Sequence, residues 1–265
     1  MTVPDTGTAG AGAVHPLRRR LRAALTGPGP AVGTFVKLAT PDVVELAAAA
    51  GFAFVVVDLE HSTLTERDAV ALVRHAALCG LPALVRVPEV DAPAVNRLLE
   101  AGAAGVQLSM LTRAAQSEAL VAATRFAPEG RRSVSLANRA AGFGAVPLAA
   151  FLDAERADPP LLVGQIETAR TEPLERLLAP LDVAFVGSTD LAVDLGLPTD
   201  PAVLRDAVDG VRDAARQAGV AFGGWAPLRG AAAGLGLGTA DYLVVGSDLQ
   251  LLAAGLRTAA GEETP

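Results

Sequence analysis

The chain contains a single cysteine, Cys79, and a single lysine, Lys37, in 265 residues. One cysteine closes no intramolecular disulfide and builds no cysteine-rich metal centre. One lysine leaves only one candidate amine for covalent imine chemistry. Aromatic residues make up 4% of the chain, so Ala, Val and Leu must do most of the packing. Acidic residues outnumber basic ones, 29 to 22, for a net charge of −7. That balance argues against a nucleic-acid partner, because phosphate binding needs clustered cations. The one basic cluster, Arg18 to Arg20 with Arg22, reads as the solvated face of a first helix. No apolar run reaches the ~20 residues that cross a bilayer. Residues 1–14 lack the apolar segment of a secretory signal. The expected setting is the cytoplasm, with no membrane partner.

What is present suits one large core. Apolar residues are 51% of the chain and charged residues 19%, which excludes a disordered protein. A single domain is expected over 15–260, with tails at 1–14 and 261–265, and His15 falls at the edge of the first tail. Short apolar runs alternate with amphipathic stretches. The runs are Val32–Val36, Phe54–Asp58, Ala83–Val87, Gly105–Leu108, Leu161–Ile166, Val183–Val186, Val220–Gly223 and Tyr242–Val245. Continuous apolar runs suit parallel strands covered on both faces. Helices are expected over Pro16–Leu25, Pro41–Ala50, Leu64–Leu78, Ala92–Ala101, Ala114–Phe126, Glu172–Leu178, Ala202–Ala218 and Leu228–Leu235. Thr40 is the expected cap of the second, with Pro41 at its first position. The fold class is α/β, and eight strand–helix units point to a closed (β/α)₈ TIM barrel. The longest interruption, Ala127–Pro160, carries a further helix near Leu148–Glu155, and a rim loop of that length is often functional.

Active sites of such barrels lie at the C-terminal strand ends. Polar residues there include Lys37, Asp58, Glu60, His61, Arg86, Gln107, Gln165, Glu167, Ser188, Thr189, Asp190 and Asp248. Glu167 and Asp190 close neighbouring strands. Two carboxylates completed by water suit Mg²⁺ or Mn²⁺ better than zinc. Each carboxylate alone could equally form a salt bridge or cap the following helix. His61 is the only histidine at a strand end and suits proton transfer near neutral pH. The bland alternative is a buried histidine bonded to Asp58 or to backbone. Arg86 could clamp a carboxylate with its planar fork, or pair with Glu60. Lys37 keeps a Schiff-base route open, but that route leaves the carboxylate pair idle.

At these strand ends the sequence resembles the HpcH/HpaI family of metal-dependent aldolases. The carrying pieces are Gly33-Thr34-Phe35-Val36-Lys37, Asp58-Leu59-Glu60-His61, Val85-Arg86-Val87-Pro88, Gln165-Ile166-Glu167-Thr168 and Gly187-Ser188-Thr189-Asp190-Leu191. They run in the family's order from about Val32 to Leu252. The resemblance implies cleavage of a 4-hydroxy-2-oxo acid to pyruvate, or a related 2-oxo acid, plus an aldehyde. Glu167 and Asp190 would bind a divalent cation, Mg²⁺ or Mn²⁺, with Co²⁺ also open. Gln165, Ser188 and Thr189 would contact the oxo-acid. His61 would be the general acid/base, Arg86 would steady the enolate, Glu100 would tune the histidine and Arg139 would select the aldehyde. A homo-hexamer with a swapped C-terminal helix is also implied. The chain departs from the pattern at Ser188, where proline is usual, at Arg132-Ser133, where Arg-Gly is common, and at Glu100, where aspartate is commoner. A citramalyl- or CoA-ester lyase on the same barrel is the nearest alternative reading. A barrel that binds an oxo-acid without turning it over is another.

Overall fold

The computed structural model describes residues 14–168, 170, 172–196 and 201–261. Most of the two expected tails lies outside the described residues. Eight strands, β1 (Ala31–Val36), β2 (Phe54–Asp58), β3 (Ala83–Val87), β4 (Gly105–Leu108), β5 (Leu161–Ile166), β6 (Val183–Val186), β7 (Ala221–Ala226) and β8 (Tyr242–Ser247), close in sequence order into a barrel. All eight pairings are parallel. The helices are α1 (Val14–Leu25), α2 (Pro41–Ala49), α3 (Glu66–Leu78), α4 (Ala92–Ala101), α5 (Ala114–Thr124), α6 (Leu148–Ala157), α7 (Leu174–Leu178), α8 (Ser188–Asp194), α9 (Pro201–Ala218) and α10 (Asp248–Ala259).

Local chemistry sets the helix ends. Asp91 caps α4, its side chain accepting from the Ala94 amide, and Gly102 ends it at φ 116°, a left-handed conformation that glycine adopts freely. Thr65 and Asp68 form a reciprocal capping box on α3. The expected Thr40 cap is different. Thr40 precedes α2, but its hydroxyl bonds to the Asp42 carboxylate and caps no backbone amide. The stretch expected as a helix over Leu228–Leu235 is two short 3₁₀ turns, Arg229–Ala231 and Ala233–Leu235.

Phe35, Phe54, Phe185 and Tyr242 fill the inside of the barrel. Phe54 stacks on Tyr242 at 4.4 Å, and Phe185 meets Tyr242 edge-on at 5.9 Å. Gly33, opposite Phe54 in the β1–β2 register, leaves room for that ring: a β-carbon there would lie 2.3 Å from it. Outward-facing Val, Leu and Ala side chains pack against the helices in a second, larger core.

Two expectations near the N-terminus are corrected. His15 is not in a tail but in α1, buried, with Nε2 3.0 Å from Oε1 of Glu155. Arg18 does not face solvent. It is fully buried and donates to the Glu155 carboxylate and to the Asp158 carbonyl. The physical reason is the closed end of the barrel, where α1 inserts Leu21 into the inner core and needs Glu155 to neutralise its cations. The long excursion after α5 leads into α6 and then β5, so it lies at this same N-terminal end. There Ala140 and Ala141 pack with Val14 and Phe151.

Candidate active site

The parallel barrel brings the strand-end residues to one mouth. A cavity of about 370 Å³ is lined by Phe35, Lys37, His61, Arg86, Gln165, Ser188, Thr189, Asp190 and Trp225, among others. Seven of the predicted site residues therefore meet: His61, Arg86, Gln165, Ser188, Thr189 and Asp190 on the cavity wall, and Glu167 directly behind it, bonded to Gln165.

Asp58 organises one side of the mouth. It is fully buried and takes a bidentate pair from Arg86, Nε to Oδ1 at 2.8 Å and Nη2 to Oδ2 at 2.6 Å. Its Oδ1 also accepts the backbone amides of Glu60 and His61, and Lys37 Nζ lies 3.3 Å from Oδ2. Burial pushes the carboxyl's pKa up, but the Arg86 bonds and charge outweigh it and hold the group below its usual range. Arg86 Nη1 is 3.2 Å from Oε2 of Glu60, and the guanidinium lies over Phe35 at 4.3 Å. Arg86 is thus an ion-pair partner of Asp58 and Glu60 that also lines the cavity. The imidazole of His61 is not buried against Asp58. It is exposed at the mouth, with Nε2 3.8 Å from Glu60.

The carboxylate pair forms the other side. Glu167 follows β5 and is buried. Oε1 accepts the Met110 amide at 2.8 Å and Oε2 accepts Nε2 of Gln165 at 2.5 Å. Met110 holds a left-handed backbone, φ 52°, to present that amide, a strain of the kind that accumulates at functional sites. Burial, reinforced by the charges of Glu60 and Asp190, pushes the Glu167 carboxyl up to about 7. Asp190 sits exposed in the first turn of α8, where an acidic side chain suits the helix dipole.

Among the described residues, no group of three or more His, Cys, Asp or Glu side chains is placed to hold a metal ion. Glu167 and Asp190 are nevertheless a fitting donor set. Each Glu167 oxygen accepts one bond and keeps a lone pair. The clustered negative charge favours a cation between the two. Hard cations such as Mg²⁺ keep several waters and need few carboxylates.

Two predicted residues are not brought to the mouth of this chain. Glu100 lies at the far end of α4, which runs back toward the N-terminal end of the barrel, and its partner there is Asn96 at 3.4 Å. Arg139 lies in the excursion after α5 at that same end, and its buried Nε has no hydrogen-bond partner. The barrel geometry separates both from His61. Sequence reading in turn missed Trp225, Leu249 and Gln250 on the cavity wall. A sole tryptophan beside a Gly-Gly pair is the signal that marks Trp225.

A closed barrel with carboxylates, an imidazole and a guanidinium converging on one C-terminal cavity is the architecture of a barrel enzyme. The family model for HpcH/HpaI aldolase/citrate lyase matches residues 31–254, and the chain belongs to that family. It is an enzyme of the aldolase and lyase class. A hydroxypyruvate/pyruvate aldolase from Deinococcus radiodurans is 32% identical over 256 residues, covering 93% of this chain and 90% of the relative. A 4-hydroxy-4-methyl-2-oxoglutarate aldolase, cghB, from Chaetomium globosum is 35% identical over 192 residues, covering 70% and 71%. The crystal structure of an HpcH/HpaI aldolase/citrate lyase family protein from Burkholderia cenocepacia J2315 superposes with a TM-score of 0.81 at 32% identity, covering 93% of this chain and 98% of that one. No helix among the described residues is long and apolar enough to cross a membrane.

Proposed function

We propose that the protein is a divalent-metal-dependent aldolase that cleaves a 4-hydroxy-2-oxo acid to pyruvate, or a related 2-oxo acid, and an aldehyde. The observation that carries this reading is the meeting of Glu167, Asp190, His61 and Arg86 around one cavity. When bound by Glu167 and Asp190, Mg²⁺ or Mn²⁺ supplies Lewis-acid polarisation of the 2-oxo group. Gln165 and the backbone at Ser188 and Thr189 hold the oxo-acid. His61, free on the cavity side, takes the 4-hydroxyl proton as the C3–C4 bond breaks. The electron pair of that bond moves toward the 2-oxo oxygen. Arg86, fixed by Asp58, meets the developing charge without having to reorganise. The two named relatives, which act on hydroxypyruvate/pyruvate and on a 4-hydroxy-4-methyl-2-oxo diacid, support a pyruvate-type product.

The exposed side chains of α10 support an oligomer. Of that helix only Asp248 is buried, whereas Leu249, Leu252 and Leu256 are 46, 53 and 61% exposed. Solvation of three such leucines is unfavourable, and a second copy that exchanges or covers this helix would bury them. Glu100 and Arg139, remote from His61 in their own chain, would then serve only a neighbour's site.

The test needs no knowledge of the aldehyde. The purified protein is incubated with pyruvate in D₂O with Mg²⁺ or Mn²⁺, and then with EDTA, and methyl-proton loss is followed by NMR. Metal-dependent exchange that vanishes in Asp190→Ala is expected. No exchange with any metal would overturn the reading.

A further inference from the structure

A line of buried polar groups crosses the otherwise apolar barrel interior. Tyr242 Oη on β8 donates to Oε1 of Gln107 on β4 at 3.3 Å. Gln107 Nε2 donates to Oε1 of Gln165 on β5 at 2.7 Å. Gln165 Nε2 donates to Oε2 of Glu167 at 2.5 Å. Tyr242 and Gln107 are fully buried, and Gln165 and Glu167 are 2% exposed. Of the four, Gln165 lines the cavity and Glu167 lies directly behind its wall. The first two begin in the packed layer where the Tyr242 ring stacks on Phe54. Apolar side chains at those two positions would fold as well or better, since buried polar groups stabilise only when fully paired. Their presence therefore calls for a use beyond packing.

The line has a direction, set by its two ends. The form of Glu167 that holds a cation is the ionised one, which only accepts, so in that form Gln165 must turn its amide nitrogen toward Glu167. Its carbonyl oxygen then points back and requires the nitrogen of Gln107. The carbonyl oxygen of Gln107 in turn requires a hydroxyl donor, and Tyr242 supplies it. Burial pushes the Tyr242 phenol well above its usual pKa, so it keeps the proton it donates. Without that hydroxyl, the Gln107 carbonyl is left buried and unpaired, and only the contact with Gln165 opposes its flipped form. The flipped form sets two carbonyl oxygens against each other at Gln165.

We propose that Gln107 and Tyr242 are positioning residues, which act through the Gln165 amide to fix the Glu167 carboxylate for the divalent cation. The proposal rests on the reading of Glu167 as a holder of that cation. Outer partners of this kind typically affect metal affinity by about 10–100-fold.

The experiment measures Mn²⁺ binding to the substrate-free full-length protein by electron paramagnetic resonance, beside thermal unfolding. Tyr242→Phe keeps the ring on Phe54 and removes only the hydroxyl, and Gln107→Leu removes the middle link. Each is expected to weaken Mn²⁺ binding about tenfold or more. Val56→Ala, in the same interior layer but outside the line, is expected to lower the melting temperature and leave Mn²⁺ affinity within twofold of wild type. Unchanged affinity in both line variants overturns the proposal. So does a Val56→Ala loss as large as that of Tyr242→Phe, which would mean that general loosening is the cause. A wild-type protein that binds no Mn²⁺ overturns the metal reading itself, an outcome distinct from wild-type binding that the variants leave unchanged.

Discussion

A β-carbon on Gly187 would lie 2.4 Å from Oε2 of Glu167 and 2.9 Å from its Cβ. The carboxylate thus occupies the space that any other residue would fill at the end of β6. Gly187→Ala is expected to push Glu167 and the Gln165 amide, 3.2 Å away, out of place. Metal-dependent pyruvate exchange should fall about 10–100-fold, with an overpacking cost of about 1–3 kcal/mol in urea unfolding. An alanine variant with wild-type exchange would show that Glu167 has other room.

The raised pKa of Glu167 makes a second prediction. Its carboxyl sits near 7 in the folded chain against an ordinary value of 4.5. The folded state therefore holds this proton more tightly than the unfolded one, and stability falls as pH rises between the two values. EDTA-treated protein should lose stability from about pH 4.5 to about pH 7 and change little further on this account. Glu167→Gln should remove that component. The comparison is urea unfolding of both proteins at several pH values. A wild-type curve parallel to that of the variant across this window would contradict the assignment.

Much of this arrangement is legible in the sequence because parallel strands covered on both faces must be apolar throughout. Phe54–Asp58, Ala83–Val87, Gly105–Leu108, Leu161–Ile166 and Val183–Val186 coincide with observed strands for that reason. Seven of the predicted site residues reach the mouth because each lies near the C-terminal end of such a run or in the few residues after it. β7 is less legible. Its sequence, Ala-Phe-Gly-Gly-Trp-Ala, breaks the apolar pattern at the glycines, so the strand was expected to end before Trp225 and that residue was missed. Glu100 and Arg139 show another limit. Glu100 lies in the last turn of α4 and Arg139 beyond α5, and linear order does not say that a helix returns its last residues to the opposite end of the barrel. The role of Glu60 as a partner of Arg86 is a matter of side-chain direction, which strand position alone leaves open.

Lys37 lines the cavity, yet its ammonium lies 3.3 Å from the buried Asp58 carboxylate. An ion-paired lysine serves as a charge partner, not as the free amine that imine formation needs. Incubation with pyruvate and borohydride is expected to leave no reduced adduct by mass spectrometry and no loss of activity on removal of the reagents. A pyruvyl adduct on Lys37 would reopen the covalent route.

Glu155 anchors α1 at the end of the barrel opposite the mouth. Oε1 meets Arg18 at 2.9 Å and His15 at 3.0 Å, and Oε2 meets Arg132 at 2.9 Å. Burial raises the carboxyl's pKa, but the charge of Arg18, the His15 bond and the charge of Arg132 outweigh it and bring the group down to about 2. Removing one member of a buried charged cluster strands the others, so Glu155→Gln should cost about 3–5 kcal/mol. A depressed acid contributes stability that is present above its unfolded pKa and lost as pH falls through the folded one. The gap between wild type and variant in urea should therefore be full above about pH 4.5 and shrink toward pH 2. A gap below 1 kcal/mol at neutral pH would mean that α1 is held by its apolar side chains, Leu17 and Leu21, rather than by this charge cluster.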